Sequence, residues 1–150
     1  MSSTRPSKIP GMEKAPYIGA LLRLAHQEAS SRMLQALAER GLGDIKQAHF
    51  GLFQYPPIDG MRPTDLAKRL GMSKQAVNHL LGQLEKLGFL ERRREQMHGH
   101  TAVYLTERGW LVLKSNVATM RALEEDWQNQ LGKRRFSDFK AALRELTGFS

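Results

Sequence analysis

The chain has 150 residues, of which 41% are hydrophobic and 13 are glycine, the size and make-up of one compact globular unit. Its 23 Lys and Arg against 15 Asp and Glu leave a formal charge of +8, which favours polyanionic partners. The absence of cysteine excludes disulfide scaffolds, thiol chemistry and zinc sites built on Cys, and no apolar run approaches the roughly 18 residues of a membrane helix.

Residues 1–15 are rich in Ser, Pro and charge, lack the apolar core of a secretory signal, and read as a flexible arm of a cytoplasmic protein. From Tyr17 the spacing changes. Ile18, Leu21, Leu22, Ala25, Ala29, Met33, Ala36 and Leu37 recur at three and four residues, which predicts a helix ending at Gly41 with Leu42 folded back on Leu37. Ile45, Ala48, His49, Leu52 and Phe53 predict a further helix before Pro56-Pro57. Leu70-Gly71-Met72 and Leu87-Gly88-Phe89 each put glycine beyond an apolar-periodic run and mark two more helix ends.

After Gly88 the period becomes two, so Phe89 to Arg94 and Thr101 to Leu105 are expected to form a hairpin with its tip in Gln96 to His100. Thr106 stands as the N-cap of a long helix carrying Leu111, Leu113, Val117, Met120 and Leu123, and Phe136, Phe139, Leu143 and Leu146 mark a last helix. The central part of the chain offers no long helix to cover the apolar faces of the two outer ones. A dimer that buries them is the expected assembly.

Chemistry concentrates between Arg62 and Leu84. Pro63 suits a first helical turn, Asp65 complements its positive end, Gly71 makes the tight turn and Ser73 can cap the next helix. Two short helices joined in this way form a helix-turn-helix, whose second helix can enter a major groove.

At 100° per residue, Val77, Leu80, Leu81 and Leu84 fall on the core side of that second helix. Gln75, His79, Gly82 and Lys86 fall opposite, flanked by Asn78 and Gln83. Gln and Asn suit bidentate contacts to adenine, and His79 suits a purine acceptor. Gly82 costs about 1 kcal/mol against Ala in a helix, which suggests close approach by another surface.

Lys74, in the first turn, suits a phosphate. Between Arg62 and Glu95 eight basic residues meet four acidic ones, a local +4 that is half the surplus of the chain. The candidate DNA contacts here are Arg62, Thr64, Ser73, Lys74, Gln75, Asn78, His79, Lys86, Arg92 and Arg94. Alternation puts Arg92 and Arg94 on one face of the hairpin, placed to flank a phosphate backbone while the tip enters a minor groove. His98 and His100, without cysteine or a carboxylate pair, make a poor metal site. The chain lacks a Gly-rich phosphate loop, HExxH or a nucleophile elbow, so neither an enzyme nor a cofactor is expected.

The ordered set Pro63 to Leu70, Ser73 to Leu84, Leu84-Glu85-Lys86-Leu87-Gly88-Phe89-Leu90-Glu91-Arg92 and Leu105-Thr106-Glu107-Arg108-Gly109 resembles the MarR family of winged helix-turn-helix regulators. The resemblance implies a mainly α fold with a small β-hairpin wing. Residues 45–106 would form the DNA-binding region, and 16–44 with 107–150 the helical dimerisation region.

It further implies a homodimer on pseudo-palindromic double-stranded DNA, typically a repressor released by a small, often aromatic effector. Tyr17, His26, His49, Phe53 and Trp110 are the candidate effector contacts. Where the family usually carries Asp-x-Arg or Asp-Arg-Arg in the wing, this chain has Met97-His98-Gly99, so His98 would stand in for an arginine. The competing reading keeps the fold and makes it a protein-interaction module or a non-specific nucleoid binder.

Overall fold

In the computed structural model of the chain, residues 9–54, 56–96 and 99–149 are described. The order is α1 (Ile18–Glu39), a 3-10 helix (Gln47–Phe53), α2 (Pro63–Leu70), α3 (Lys74–Lys86), β1 (Leu90–Arg94), β2 (Thr101–Leu105), α4 (Glu107–Leu131) and α5 (Lys133–Leu146). This is a mainly helical architecture with a two-stranded antiparallel wing, as expected from the sequence.

The helix stops form as the glycine spacing requires. After α1, Gly41 adopts φ 73°, and the N–H of Leu42 reaches Leu37 O at 2.8 Å. After α2, Gly71 adopts φ 63°, and Met72 N–H reaches Ala67 O at 3.0 Å. After α3, Phe89 N–H reaches Leu84 O at 2.9 Å. In each case the chain turns back over the last helical carbonyls, and after α1 and α3 it seats a buried side chain, Leu42 or Phe89, under the helix.

One expectation changes. The segment after Gly41 is a seven-residue 3-10 helix rather than a longer α-helix, and Ile45 is buried ahead of it. Its start is fixed at Lys46, whose backbone N–H donates to His49 Nδ1 at 3.0 Å, so helical hydrogen bonding cannot extend further back. The N-terminal segment, read as flexible over 1–15, has a 3-10 turn at Met12–Lys14, and Tyr17 Oη donates to Gly11 O at 2.5 Å. Residues 1–8 of that segment lie outside the described residues.

The core gathers Leu37, Ile45, Leu52, Phe53 and Ile58 against Leu66 of α2, Val77, Leu81 and Leu84 of α3, and Phe89, Val103 and Val112. Phe53 and Phe89 meet edge to face with centroids 6.3 Å apart. These side chains bind the helix-turn-helix, the hairpin and the start of α4 into one body.

The hairpin runs in register from Leu90 opposite Leu105 to Arg94 opposite Thr101. Its free edge is met by the segment before α2. Met61 bridges Val103, Gly60 N–H donates to Val103 O at 2.7 Å, and Leu105 N–H donates to Asp59 Oδ1 at 2.7 Å.

Helices α1, α4 and α5 pack side by side. Arg32 of α1 bonds Asp126 of α4 at 2.6 Å and Glu28 at 2.9 Å. The hydrogen bond to Asp126 is the main reason its guanidinium pKa is raised. Arg40 donates to Ser115 at 2.8 Å lower on the same contact. Away from it Ile18, Leu21 and Leu24 stay exposed on α1, as do Trp110, Leu111 and Val117 on α4. Among the described residues no helix is long and apolar enough to cross a membrane.

Candidate nucleic-acid interface

Helix α3 is the element on which the site is built. Ser73 caps it by accepting the Ala76 N–H at its hydroxyl oxygen, 3.1 Å away, and Lys74 follows with no acid in the first turn. Val77, Leu80, Leu81 and Leu84 are buried, which turns the opposite side of the helix outward. Ser73, Lys74, Gln75, His79, Gln83 and Lys86 are on that side or beside it, and Asn78 is half-buried on the flank.

Ahead of α3, Arg62 is the half-buried N-cap residue of α2 and Thr64 lies in its first turn. Of the residues expected to meet DNA, Thr64, Ser73, Lys74, Gln75, His79, Lys86 and Arg94 are exposed and Arg62, Asn78 and Arg92 half-buried, while His98 lies outside the described residues.

The wing arginines separate in role. Arg92 leans onto α3, with Nε 3.5 Å from Glu85 Oε2 and Nη1 donating to Asn78 Oδ1 at 3.4 Å. Arg94 stays exposed and donates from Nε to Gly99 O at the tip, 3.3 Å away. Arg93, on the other face, pairs with Glu91 at 2.9 Å and covers the Tyr104 ring at 4.1 Å. Arg92 and Arg94 do share a face, but only Arg94 is turned to solvent.

The neighbour of Gly82 is also this wing. A β-carbon there would lie 3.6 Å from Arg92 Nη2, an ordinary contact, so within the chain itself a methyl group fits.

Sequence reasoning missed the inner support of the face. His49 is buried, 3% exposed, and its Nε2 lies 3.0 Å from Gln83 Oε1, while Gln83 Nε2 lies 3.2 Å from His79 Nε2. Only the i, i+4 spacing of His79 and Gln83 was visible beforehand.

A cleft of about 430 Å³ opens between α1, the 3-10 helix and α4, where His26, Phe53, Gln54, Asn116 and Arg121 contribute to its wall. The carbonyl oxygen of the Asn116 side chain is buried there without a hydrogen-bond partner. Of the five candidate effector contacts, the structure brings His26 and Phe53 together here. Tyr17 and Trp110 are exposed elsewhere, and His49 is committed to Lys46 and Gln83. An adjoining apolar cleft, also about 430 Å³, lies between α1, α4 and α5 and is lined by Leu22, Trp127 and Phe139 among others. Among the described residues no group of His, Asp and Glu is arranged to hold a metal ion.

Residues 56–99, from the turn before α2 to the tip of the wing, match the sequence model of the MarR family. Three solved structures extend the likeness over the helical remainder. The chain is similar to Streptococcus pneumoniae FabT in complex with DNA, with 19% identity over 88% of this chain and 94% of that one and a TM-score of 0.70. The S. aureus MepR–DNA complex matches at 22% identity over 88% and 95%, TM-score 0.67. CouR from Rhodococcus jostii RHA1, bound to p-coumaroyl-CoA, matches at 16% identity over 88% and 92%, TM-score 0.66. At these identities the structural likenesses establish the fold. No curated protein sequence matches the chain.

Proposed function

We propose that this chain is a MarR-family, sequence-specific DNA-binding transcription regulator that acts as a homodimer on an inverted-repeat operator, as a repressor released by a small effector. The observation that carries the reading is the outward face of α3, where Gln75, Asn78 and His79 stand among Lys74, Lys86 and the wing arginines. Amide side chains supply base recognition and the surrounding cations supply phosphate affinity.

Residues 45–106 form the DNA-binding region in this reading, and 16–44 with 107–150 the dimerisation region. Two copies would place their α3 helices about 34 Å apart, in successive major grooves. Ile18, Leu21 and Leu24, which the single chain leaves exposed, are the surface such a pairing would bury. The effector would enter the cleft walled by His26 and Phe53, where FabT and MepR offer DNA-bound counterparts of the fold and CouR a p-coumaroyl-CoA-bound one.

Selection of bound sequences from random duplexes tests the proposal. An enriched inverted repeat is expected, with half-sites one helical turn apart. Retention of all sequences alike would favour a non-specific binder, and retention of none a protein-interaction module.

A further inference from the structure

His79, on the outer face of α3, has its hydrogen-bonding polarity set from inside the protein. His49 accepts the backbone N–H of Lys46 at Nδ1, 3.0 Å away. A backbone amide nitrogen only donates, so Nδ1 holds a lone pair and the proton of the neutral ring is on Nε2. That N–H faces Gln83 Oε1 at 3.0 Å and donates to it.

The side-chain amide is thereby oriented, and its NH2 group is the end that meets His79 Nε2 at 3.2 Å. An amide NH2 can only donate, which makes His79 Nε2 the acceptor and leaves the ring proton on Nδ1. The direction of each bond follows from the one before it, and the series begins at a donor whose identity is fixed by the backbone.

Resting on the reading of α3 as a recognition helix, we infer that His49 and Gln83 are positioning residues that hold His79 as its Nδ1–H tautomer, so that His79 offers DNA a donor and not an acceptor. In the major groove a donor finds partners at guanine N7 and O6, adenine N7 and thymine O4, whereas cytosine presents its N4 amino group, itself a donor. His79 therefore accepts guanine, adenine or thymine and rejects cytosine at the base it meets. His49, although buried away from the groove, specifies that choice through Gln83. A role of Gln83 confined to tying α3 to the 3-10 helix would hold the fold together without fixing any tautomer.

The test uses the full chain and two readouts. Long-range nitrogen–proton NMR of the histidine rings, recorded without DNA, is expected to show His79 protonated at Nδ1. In Gln83→Leu, which removes both bonds, it should shift toward the Nε2–H form that free imidazole side chains favour. Should Gln83→Leu fail to fold by thermal denaturation, Gln83→Met takes its place, and the unaltered chain alone still decides the first point.

In binding, the unaltered protein should prefer guanine over cytosine by roughly tenfold at one operator position. Gln83→Leu should reduce it to less than about threefold. His79 protonated at Nε2 in the unaltered chain, a tautomer indifferent to Gln83→Leu, or a base preference indifferent to it overturns the inference. A tautomer that responds as expected, in a protein with no preferred sequence, overturns instead the reading of α3 as a recognition helix.

Discussion

A β-carbon on Gly109 would lie 2.1 Å from the carbonyl oxygen of Phe89, so the first turn of α4 presses directly on the backbone that leaves α3. The surrounding bonds tighten the same joint. Thr106 Oγ1 donates to Gly88 O at 2.6 Å and accepts Gly109 N–H at 3.3 Å. Arg108 donates to Leu87 O at 2.5 Å and covers the Phe89 ring at 4.3 Å. The run Thr106-Glu107-Arg108-Gly109 is thus a clamp on Leu87-Gly88-Phe89.

Gly109→Ala must move one backbone against the other. Overpacking of this kind typically costs about 1 to 3 kcal/mol. Urea denaturation should report a loss in that range, and an unchanged midpoint would show that the joint is looser than its geometry indicates.

Ser73→Ala removes the cap of α3 and is expected to cost about 1 kcal/mol. Ser73→Asp restores an acceptor and a charge that suits the helix N-terminus, so stability should return while a carboxylate now faces the phosphates. Denaturation and DNA binding measured on both variants should therefore part company. A Ser73→Asp variant that binds DNA as well as the unaltered chain would remove Ser73 from the interface.

Lys74→Ala should weaken binding to all duplexes alike and lower the log–log salt slope by about 1, the signature of one lost phosphate contact. Its folding stability should hold or rise slightly, since a cation at a helix N-terminus opposes the dipole. Gln75→Ala should behave in the opposite way. A loss of about 1 to 3 kcal/mol on the preferred operator, with random DNA spared, is expected in a titration of both. Equal losses on the two sequences would show that Gln75 does not read bases.

Leu21→Asp places a charge on a face of α1 that the single chain leaves 47% exposed. The fold of one chain should therefore survive by circular dichroism, while analytical ultracentrifugation should show dimers giving way to monomers. A variant that remains dimeric would move the pairing surface away from α1.

Much of this organisation could be read locally. Gly41, Gly71 and Gly88 end helices because the apolar residue that follows each one has a nearby helical carbonyl to bond, a relationship contained within six residues. The outward placement of Gln75 and His79 follows from the burial of Val77, Leu80, Leu81 and Leu84 on the same helix.

The links that remained invisible join residues far apart in the chain. His49 and Gln83 are separated by 34 positions and Asp59 and Leu105 by 46. Nothing in the periodicity of either partner announces the other. Asp59 looks like a turn residue and His49 like one member of an apolar stripe. The partners of Arg92 stayed hidden for a related reason. Strand alternation fixes the face on which a side chain leaves the sheet, but not whether a neighbour such as Glu85 or Asn78 captures its end.

The 3-10 helix Gln47–Phe53 has one side in the cleft, through Phe50 and Phe53, and holds His49 on another. Seven residues thus touch the cleft wall and, through His49, the hydrogen bonds that run by way of Gln83 to His79 on the outer surface. A guest in the cleft would therefore lie against the same short rod that carries His49.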